Sequence, residues 1–227
     1  MILQTGKISV IAFCIVMLTA CQTTSNTSYS DTKKAKMAKA NAQKGMAFLE
    51  RNNLPQAKKK LTLAIEQGPN MPEPWYSMGY YLESTGKKNE ANLYYVKAIN
   101  IAPKDAVAQN IYGTYLCRQG RYQESLQHFM VAVHANRYSE KADAYENAGL
   151  CALKIPNQAI AERYFAEAVK YDPAKSASLY RLAEINFKNH RYAESKNYLQ
   201  KFLTVSAPTA RSDKLSKRLS EVMNDQS

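Results

Sequence analysis

Glycines recur along this chain at a nearly constant spacing. Gly45, Gly79, Gly113 and Gly149 follow one another at intervals of 34, 34 and 36 residues. A period in the range of roughly 20 to 50 residues indicates a repeat architecture, in which each unit buries its apolar face only against its neighbours. The chain is therefore predicted to fold as an elongated array of similar units and not around one central core.

Each unit carries the same pattern of residue types. When Trp75 is placed at position 4 of a unit, the residues at positions 7, 8, 11, 20, 24, 27 and 32 are Met78, Gly79, Leu82, Ala91, Tyr95, Ala98 and Pro103. This pattern is typical of the tetratricopeptide repeat, a 34-residue pair of helices. It predicts an all-α, right-handed solenoid of paired antiparallel helices, here called helix A and helix B of each unit.

The pattern extends to five units over residues 32–207. They lie at about residues 38–71, 72–105, 106–141, 142–175 and 176–208, with a two-residue insertion near 138–141. A C-terminal capping helix is predicted within residues 209–227, because Leu215, Leu219 and Val222 form one apolar stripe. A solenoid needs such a cap, since its last unit otherwise exposes an apolar face.

The residue types that recur from unit to unit have physical reasons within this fold. Gly or Ala at position 8 lets helix A cross helix B closely, with the small residue at position 20 as its partner. Bulky residues at positions 11 and 24 are expected to fill the space around the crossing. Gly86 and Gly120, both at position 15, are expected to end helix A with a positive φ.

The first twenty residues are predicted to be a signal peptide. Lys7 precedes an apolar run at residues 8–18, which is about half the ~20 residues that a membrane-spanning helix needs. The Leu-Thr-Ala-Cys tetrapeptide that ends at Cys21 resembles the lipobox of bacterial lipoproteins. The resemblance implies cleavage before Cys21 and its acylation, and Gln22 after it implies sorting to the outer membrane, facing the periplasm. The alternative is an ordinary signal peptide with a cysteine at this position by chance.

Residues 21–31 are predicted to be a lipidated N-terminus and flexible tether, because this polar tract has almost nothing to bury. A strongly basic segment follows it. Residues 33–60 contain nine Lys and Arg residues and one acidic residue, Glu50. Such a segment either contacts anionic lipid beside the anchor or forms a solvated helix face.

A protein-binding groove is expected on the concave surface, which positions 2, 5, 9, 12 and 13 of each helix A line. The apolar and aromatic residues at these positions concentrate in units one and two: Ala42, Met46, Leu49, Tyr76 and Tyr80. An apolar segment of a partner protein suits such a patch. The alternative is that residues 32–37 fold back and cover it. Position 5 lacks the Lys and Asn series of chaperone-type carboxylate clamps, so that clamp is predicted to be absent.

Two cysteines remain once Cys14 is removed with the signal peptide and Cys21 is acylated. Cys117 and Cys151 lie late in the A helices of consecutive units, at positions 12 and 10. Neighbouring A helices pack side by side, so a disulfide is geometrically possible, and two buried free thiols are the alternative.

Nothing in the sequence indicates catalysis. The three histidines, His128, His134 and His190, form no metal-ligand spacing, and phosphate-binding and nucleophile motifs are lacking. We therefore expect no enzyme activity, no cofactor, no metal and no small-molecule substrate. The formal net charge of +12 could indicate nucleic acid, but export makes nucleic acid an unsuitable partner.

Units three and four carry more specific motifs. These are QNIYG at 109–113, YLC at 115–117, GRY at 120–122 and AYENAGLC at 144–151. Together with the lipobox, the repeat number, the insertion and both cysteines, they resemble the PilF/PilW family of type IV pilus biogenesis lipoproteins. The resemblance implies a pilotin, which binds secretin subunits and promotes their outer-membrane localisation and multimerisation. The alternative is a general envelope scaffold for peptidoglycan synthesis or β-barrel insertion.

Overall fold

The computed structural model describes residues 23–224, of which residues 23–31 are described by their backbone alone. Within this range the chain forms eleven α-helices and no strand. The helices are α1 (Thr23–Glu50), α2 (Leu54–Gln67), α3 (Pro72–Ser84), α4 (Lys88–Ile101), α5 (Ala106–Arg118), α6 (Tyr122–His134), α7 (Lys141–Ala152), α8 (Gln158–Tyr171), α9 (Ser176–Lys188), α10 (Tyr192–Val205) and α11 (Ala210–Asn224).

Consecutive helices pair as helix A and helix B of five units, from α1 with α2 to α9 with α10. Each pair packs closely, and each helix A also contacts the helix A of the next unit. Short turns join the helices, and Asn53 and Asp105 accept hydrogen bonds from the first-turn amides of α2 and α5. The predicted all-α solenoid of tetratricopeptide-type helix pairs is confirmed.

The two helices of a unit cross at position 8, as predicted, but the residue nearest the glycine lies at position 24. A Cβ on Gly79 would lie 3.0 Å from the ring of Tyr95, and one on Gly113 would lie 3.0 Å from the ring of Phe129. Position 20 contributes in a second way, because Ser125 Oγ donates a hydrogen bond of 2.7 Å to the Gly113 carbonyl. The bulky residue at position 24 therefore lies directly over the crossing.

In four of the five units, the turn between helix A and helix B takes a left-handed residue at position 15, and unit four has Pro156 there instead. Gly86 and Gly120 have φ values of 82° and 80°, as predicted, and a Cβ on either would meet nothing within 4 Å. Units one and five place Asn52 and His190 there, with φ of 56° and 58°. Asn52 and His190 thus adopt the same left-handed turn conformation as the glycines.

Units are joined by burial of positions 3 and 7 of helix A. In units two to five, position 7 holds Met78, Tyr112, Ala148 and Leu182, each at most 5% exposed. Position 3 holds Pro74, Ala108, Ala144 and Ser178, which are also buried. The core is therefore a continuous row of apolar clusters along the solenoid.

Helix α11 closes the C-terminal end. Leu215 and Leu219 are buried and, with Val222 beside them, pack against Leu179, Phe187 and Phe202 of unit five. The predicted stripe and its capping role are both observed. Arg218 lies over the ring of Phe187, with its guanidinium carbon 4.3 Å from the ring centroid.

The segment before unit one differs from the prediction. Helix α1 begins at Thr23, so most of residues 21–31, predicted to be a flexible tether, continue the first helix. Residues 23–44 contain neither proline nor glycine, and extending an existing helix is far easier than starting one. Residues 32–37 lie within α1 and do not fold back over the groove. Cys21 and the predicted signal peptide lie outside the described residues.

Candidate protein-binding groove

A groove of about 570 Å³ lies between α1 and α3 on the concave surface. Both helices are first helices of their units, so the groove is the space between two adjacent A helices. Its lining is mostly apolar and aromatic. The lining residues are Ala42, Gln43, Met46, Ala47, Glu50, Glu73, Tyr76, Ser77, Tyr80 and Ile111.

Four of the five predicted groove residues line this space. Met46, Tyr76 and Tyr80 present side chains to it, and Tyr80 is 42% exposed. Ala42 is only 1% exposed and forms part of the wall. Leu49 is the exception, because it packs against the core of units one and two and lines a smaller neighbouring cavity instead. Leu49 follows Met46 by three residues, so its side chain points about 60° away from that of Met46 around the helix axis, towards the core.

The prediction missed one repeat position that lines the groove. Gln43, Ser77 and Ile111 all occupy position 6 of their units, at intervals of 34 residues. The predicted lining positions were 2, 5, 9, 12 and 13. The 34-residue recurrence would have identified position 6 as a shared stripe, because equivalent positions in a solenoid lie side by side.

Two carboxylates line the otherwise apolar groove. Burial raises the pKa of the Glu73 carboxyl above its usual value, while Lys39 acts in the opposite direction and Asp105 adds to the increase. Burial likewise raises the pKa of Tyr76, and the nearby negative charge of Glu73 raises it further. Glu50 lies at the other side of the groove. The site thus combines apolar surface with negative charge.

Next to this groove, from Glu83 to Asn147, the concave surface becomes polar. Arg118 donates two hydrogen bonds of 2.7 Å to the carboxylate of Glu83, which also accepts a bond of 3.0 Å from the Tyr95 hydroxyl. Further along, Asn110 donates to Tyr138 and accepts from Asn147. These side chains satisfy one another, so on this stretch of the surface the apolar groove does not extend past Ile111 of unit three.

Position 5 contains no carboxylate clamp in the structure. Asn110, the one residue there of a suitable type, is bonded to Tyr138 and Asn147. Glu146 accepts bonds from the amide and hydroxyl of Ser178. The position-5 side chains of units three and four therefore stabilise the solenoid itself.

A disulfide joins Cys117 and Cys151. It links α5 to α7, with the two Cα atoms 5.8 Å apart and a sequence separation of 34 residues. Cys151 is fully buried, and its sulfur lies 3.4 Å from Ser125 Oγ. The bridge thus ties helix A of unit three to helix A of unit four at their C-terminal ends.

The histidines take part in packing and local hydrogen bonds. His128 contacts Gln109 and the ring of Tyr112, and burial lowers its pKa. His134 contacts the Met130 carbonyl, and His190 contacts Tyr192. Within residues 32–224, no group of three His, Cys, Asp or Glu side chains is placed to hold a metal ion. In the same part of the chain, no helix is long and apolar enough to cross a bilayer.

The fold and the groove together define the class of protein to which this chain belongs. Residues 72–105 and 157–209 each match the tetratricopeptide repeat family, and the first of these ranges coincides with the predicted second unit. The chain is a tetratricopeptide-repeat protein with a scaffold fold.

Comparison with individual relatives identifies a narrower group within this class. The chain is 27% identical over 224 residues to the type IV pilus assembly protein PilF of Pseudomonas aeruginosa, covering 98% of this chain and 89% of that one. A solved structure of Pseudomonas aeruginosa PilF superposes with a TM-score of 0.78 and 27% identity, over 86% of this chain and 87% of that chain. The structure of PilW, a type IV pilus biogenesis factor, superposes with a TM-score of 0.71 and 21% identity, over 82% and 86%. This protein is a homologue of PilF, among the tetratricopeptide-repeat proteins of type IV pilus biogenesis.

Proposed function

We propose that this protein is a pilotin, an outer-membrane lipoprotein that binds secretin subunits and promotes their multimerisation for type IV pilus assembly. The observation that carries the proposal is the open, apolar groove between α1 and α3 in a homologue of PilF. No catalytic step is needed. The protein acts by binding a segment of the secretin and holding it near the membrane.

The groove suits an apolar segment of a partner. Met46, Tyr76 and Tyr80 offer a thioether and two aromatic rings, which adapt to the aliphatic side chains of a partner. Each large apolar side chain that the partner buries contributes about 1.5 to 3 kcal/mol. Glu50 and Glu73 favour a segment that also carries a Lys or Arg.

The membrane address comes from Cys21 in this proposal. Acylation of the thiol and of the new amino terminus attaches several acyl chains, each contributing about 0.8 kcal/mol per buried methylene, and two or more chains anchor a protein stably. The first turns of α1 then separate the groove from the bilayer. All groove residues except Ile111 lie in units one and two, the units nearest to this anchor along the chain.

Detergent extraction of the native protein, followed by identification of what co-purifies, tests this function. The proposal predicts a secretin as the main partner and an N-terminal mass that includes acylated Cys21. A murein synthase or a barrel-insertase subunit as the main partner would instead support the general envelope scaffold. An unmodified Cys21 would remove the lipid address from the proposal and leave the groove unaffected.

A further inference from the structure

We propose that the N-terminal end of the solenoid is a binding surface for a bilayer that contains anionic phospholipid. The surface, here called the end face, consists of Lys33, Met37 and Lys44 on α1 with Lys60 and Leu63 on α2. The secretin groove lies on a different side of α1, and none of the end-face residues lines it.

The end face is the side of unit one against which residues 23–224 place no other helix. In every later unit, positions 3 and 7 of helix A are buried against the preceding unit, but in unit one these positions hold Ala40 and Lys44, both exposed. Helix α1 contacts only α2 and α3 among the described helices. The surface that elsewhere joins two units is therefore available here for something else.

The helices place the cations together. Residues 33, 37, 40 and 44 are three or four positions apart and share one stripe of α1, and residues 60, 63 and 67 share one stripe of α2. Asn41 Nδ2 donates a hydrogen bond of 2.8 Å to Gln67 Oε1 across the two helices, which joins the two stripes into one surface. Met37 is 44% exposed and Leu63 is half-buried within it.

The charge of this region is strongly positive. Residues 33–60 include nine Lys and Arg residues and only Glu50 as an acid. Within residues 32–224, none of the nine forms an ion pair with a carboxylate. Helix α11, at the opposite end of the solenoid, carries both cations and acids. An end surface whose only role is to prevent further stacking must be polar, but it needs no excess of positive or negative charge.

Anionic lipid headgroups complement such a surface. Cations close to an anionic bilayer attract it, and apolar side chains among them can enter the interface. Met37 and Leu63 supply the apolar contacts between Lys33, Lys44 and Lys60. The proposed acylation of Cys21 would place this end of the solenoid next to the membrane. The positive charge and the exposure of the end face do not depend on that acylation.

The test uses the chain from residue 21 with Cys21→Ser, so that no acyl chain contributes to binding. Its partition to vesicles of equal parts phosphatidylglycerol and phosphatidylcholine is compared with that to phosphatidylcholine alone. We expect binding to the anionic vesicles only, weakening as salt is raised. Lys33→Gln, Lys44→Gln and Lys60→Gln together should lower the partition about fivefold per cation, or on the order of 100-fold.

A matched triple variant, Lys196→Gln, Lys214→Gln and Lys217→Gln, removes the same charge from the opposite end and should leave most of the partition intact. An equal loss in both variants would mean that only net charge matters, and would overturn the proposal. So would equal binding to phosphatidylcholine alone. If double-stranded DNA binds with the same variant dependence and displaces the vesicles, the end face is a general polyanion site and the bilayer assignment fails.

A second readout separates docking from loose electrostatic attraction. An environment-sensitive dye on Met37→Cys should shift to the blue on anionic vesicles, while the same dye on Leu203→Cys, which is 42% exposed in unit five, should not. Identical responses at the two sites would contradict docking by the end face. The variant Met46→Asp in the groove should bind vesicles like the parent chain, so failure here and failure of the secretin proposal are distinguishable.

Discussion

A Cβ atom on Gly149 would lie 2.7 Å from Cε1 of Phe165, so α7 and α8 cross at a distance that only glycine permits. The same contact recurs between Gly45 and Leu61 in unit one, where the distance would be 2.6 Å. Real Cβ atoms do not approach so closely. The bulky residue at position 24 and the glycine at position 8 are therefore one packing unit.

We predict that Gly149→Ala destabilises the protein by about 1 to 3 kcal/mol through overpacking, as measured by urea unfolding. Phe165→Leu should cost less in the Gly149→Ala background than in the parent, because the two residues share one space. Gly86→Ala is the control. Its cost of about 1 to 2 kcal/mol comes from positive φ alone, and it should be additive with Phe165→Leu. Additivity of Gly149→Ala with Phe165→Leu would contradict the crossing contact.

The disulfide should contribute to stability through the loop that it closes. Cys117 and Cys151 are 34 positions apart in sequence, and for a loop of that size the chain-entropy relation gives a stabilisation of about 4 kcal/mol. Reduction should therefore lower the unfolding free energy of the parent by that amount. The double variant Cys117→Ala and Cys151→Ala should already have the lower stability and should not respond to reductant. A parent protein whose urea midpoint is the same with and without reductant would exclude the bridge.

Glu73 should destabilise the fold at neutral pH. Because burial raises the pKa of this carboxyl, the folded chain disfavours its charge, and stability is lost as the pH rises through the folded pKa. Glu73→Gln is therefore expected to raise the melting temperature at pH 7. The difference should disappear at about pH 4, where the carboxyl is largely protonated in the unfolded chain too.

Glu90→Gln is the matched control for this pH dependence, since Glu90 is exposed and forms only a surface pair with Lys87. We expect little change in melting temperature for this variant at either pH. A lower melting temperature for Glu73→Gln at pH 7 would show that Lys39 outweighs burial.

The C-terminal cap should protect the unit that it covers more than distant ones. Leu219→Ala removes a side chain that is 3% exposed and should cost about 2 to 5 kcal/mol. Because a solenoid is stabilised by contacts between neighbours, amide hydrogen exchange should increase most in α9 and α10 and least in α3 and α4. A uniform increase along the chain would indicate a single cooperative unit instead.

The periodic features of the fold were accessible from the sequence because each depends on a local rule that repeats. Gly79 and Gly113 mark the helix crossings, and Gly86 and Gly120 mark the turns. The helical continuation of α1 to Thr23 was not accessible in this way. A Ser and Thr tract has weak helix propensity, and its state depends on the helix that it extends.

The groove was predicted only in part, for a geometric reason. Repeat positions identified Met46, Tyr76 and Tyr80, because residues on the concave surface recur with the unit. The orientation of Leu49 towards the core depends on how closely α1 packs against α3, which the repeat pattern does not specify. The disulfide partners were predictable as neighbours, whereas the choice between a bridge and two thiols required the distance between their Cα atoms.

The most direct test of the central claim is the affinity of the purified protein for its secretin when the groove is altered. Met46→Asp with Tyr80→Asp places charges in the groove at side chains that are not buried, so the helical content and melting temperature should stay close to the parent values. We predict that binding of the secretin is lost in this variant. Leu93→Asp, at a side chain that is 67% exposed and outside the groove, should bind like the parent. Undiminished binding of the secretin by the folded double variant would contradict the account.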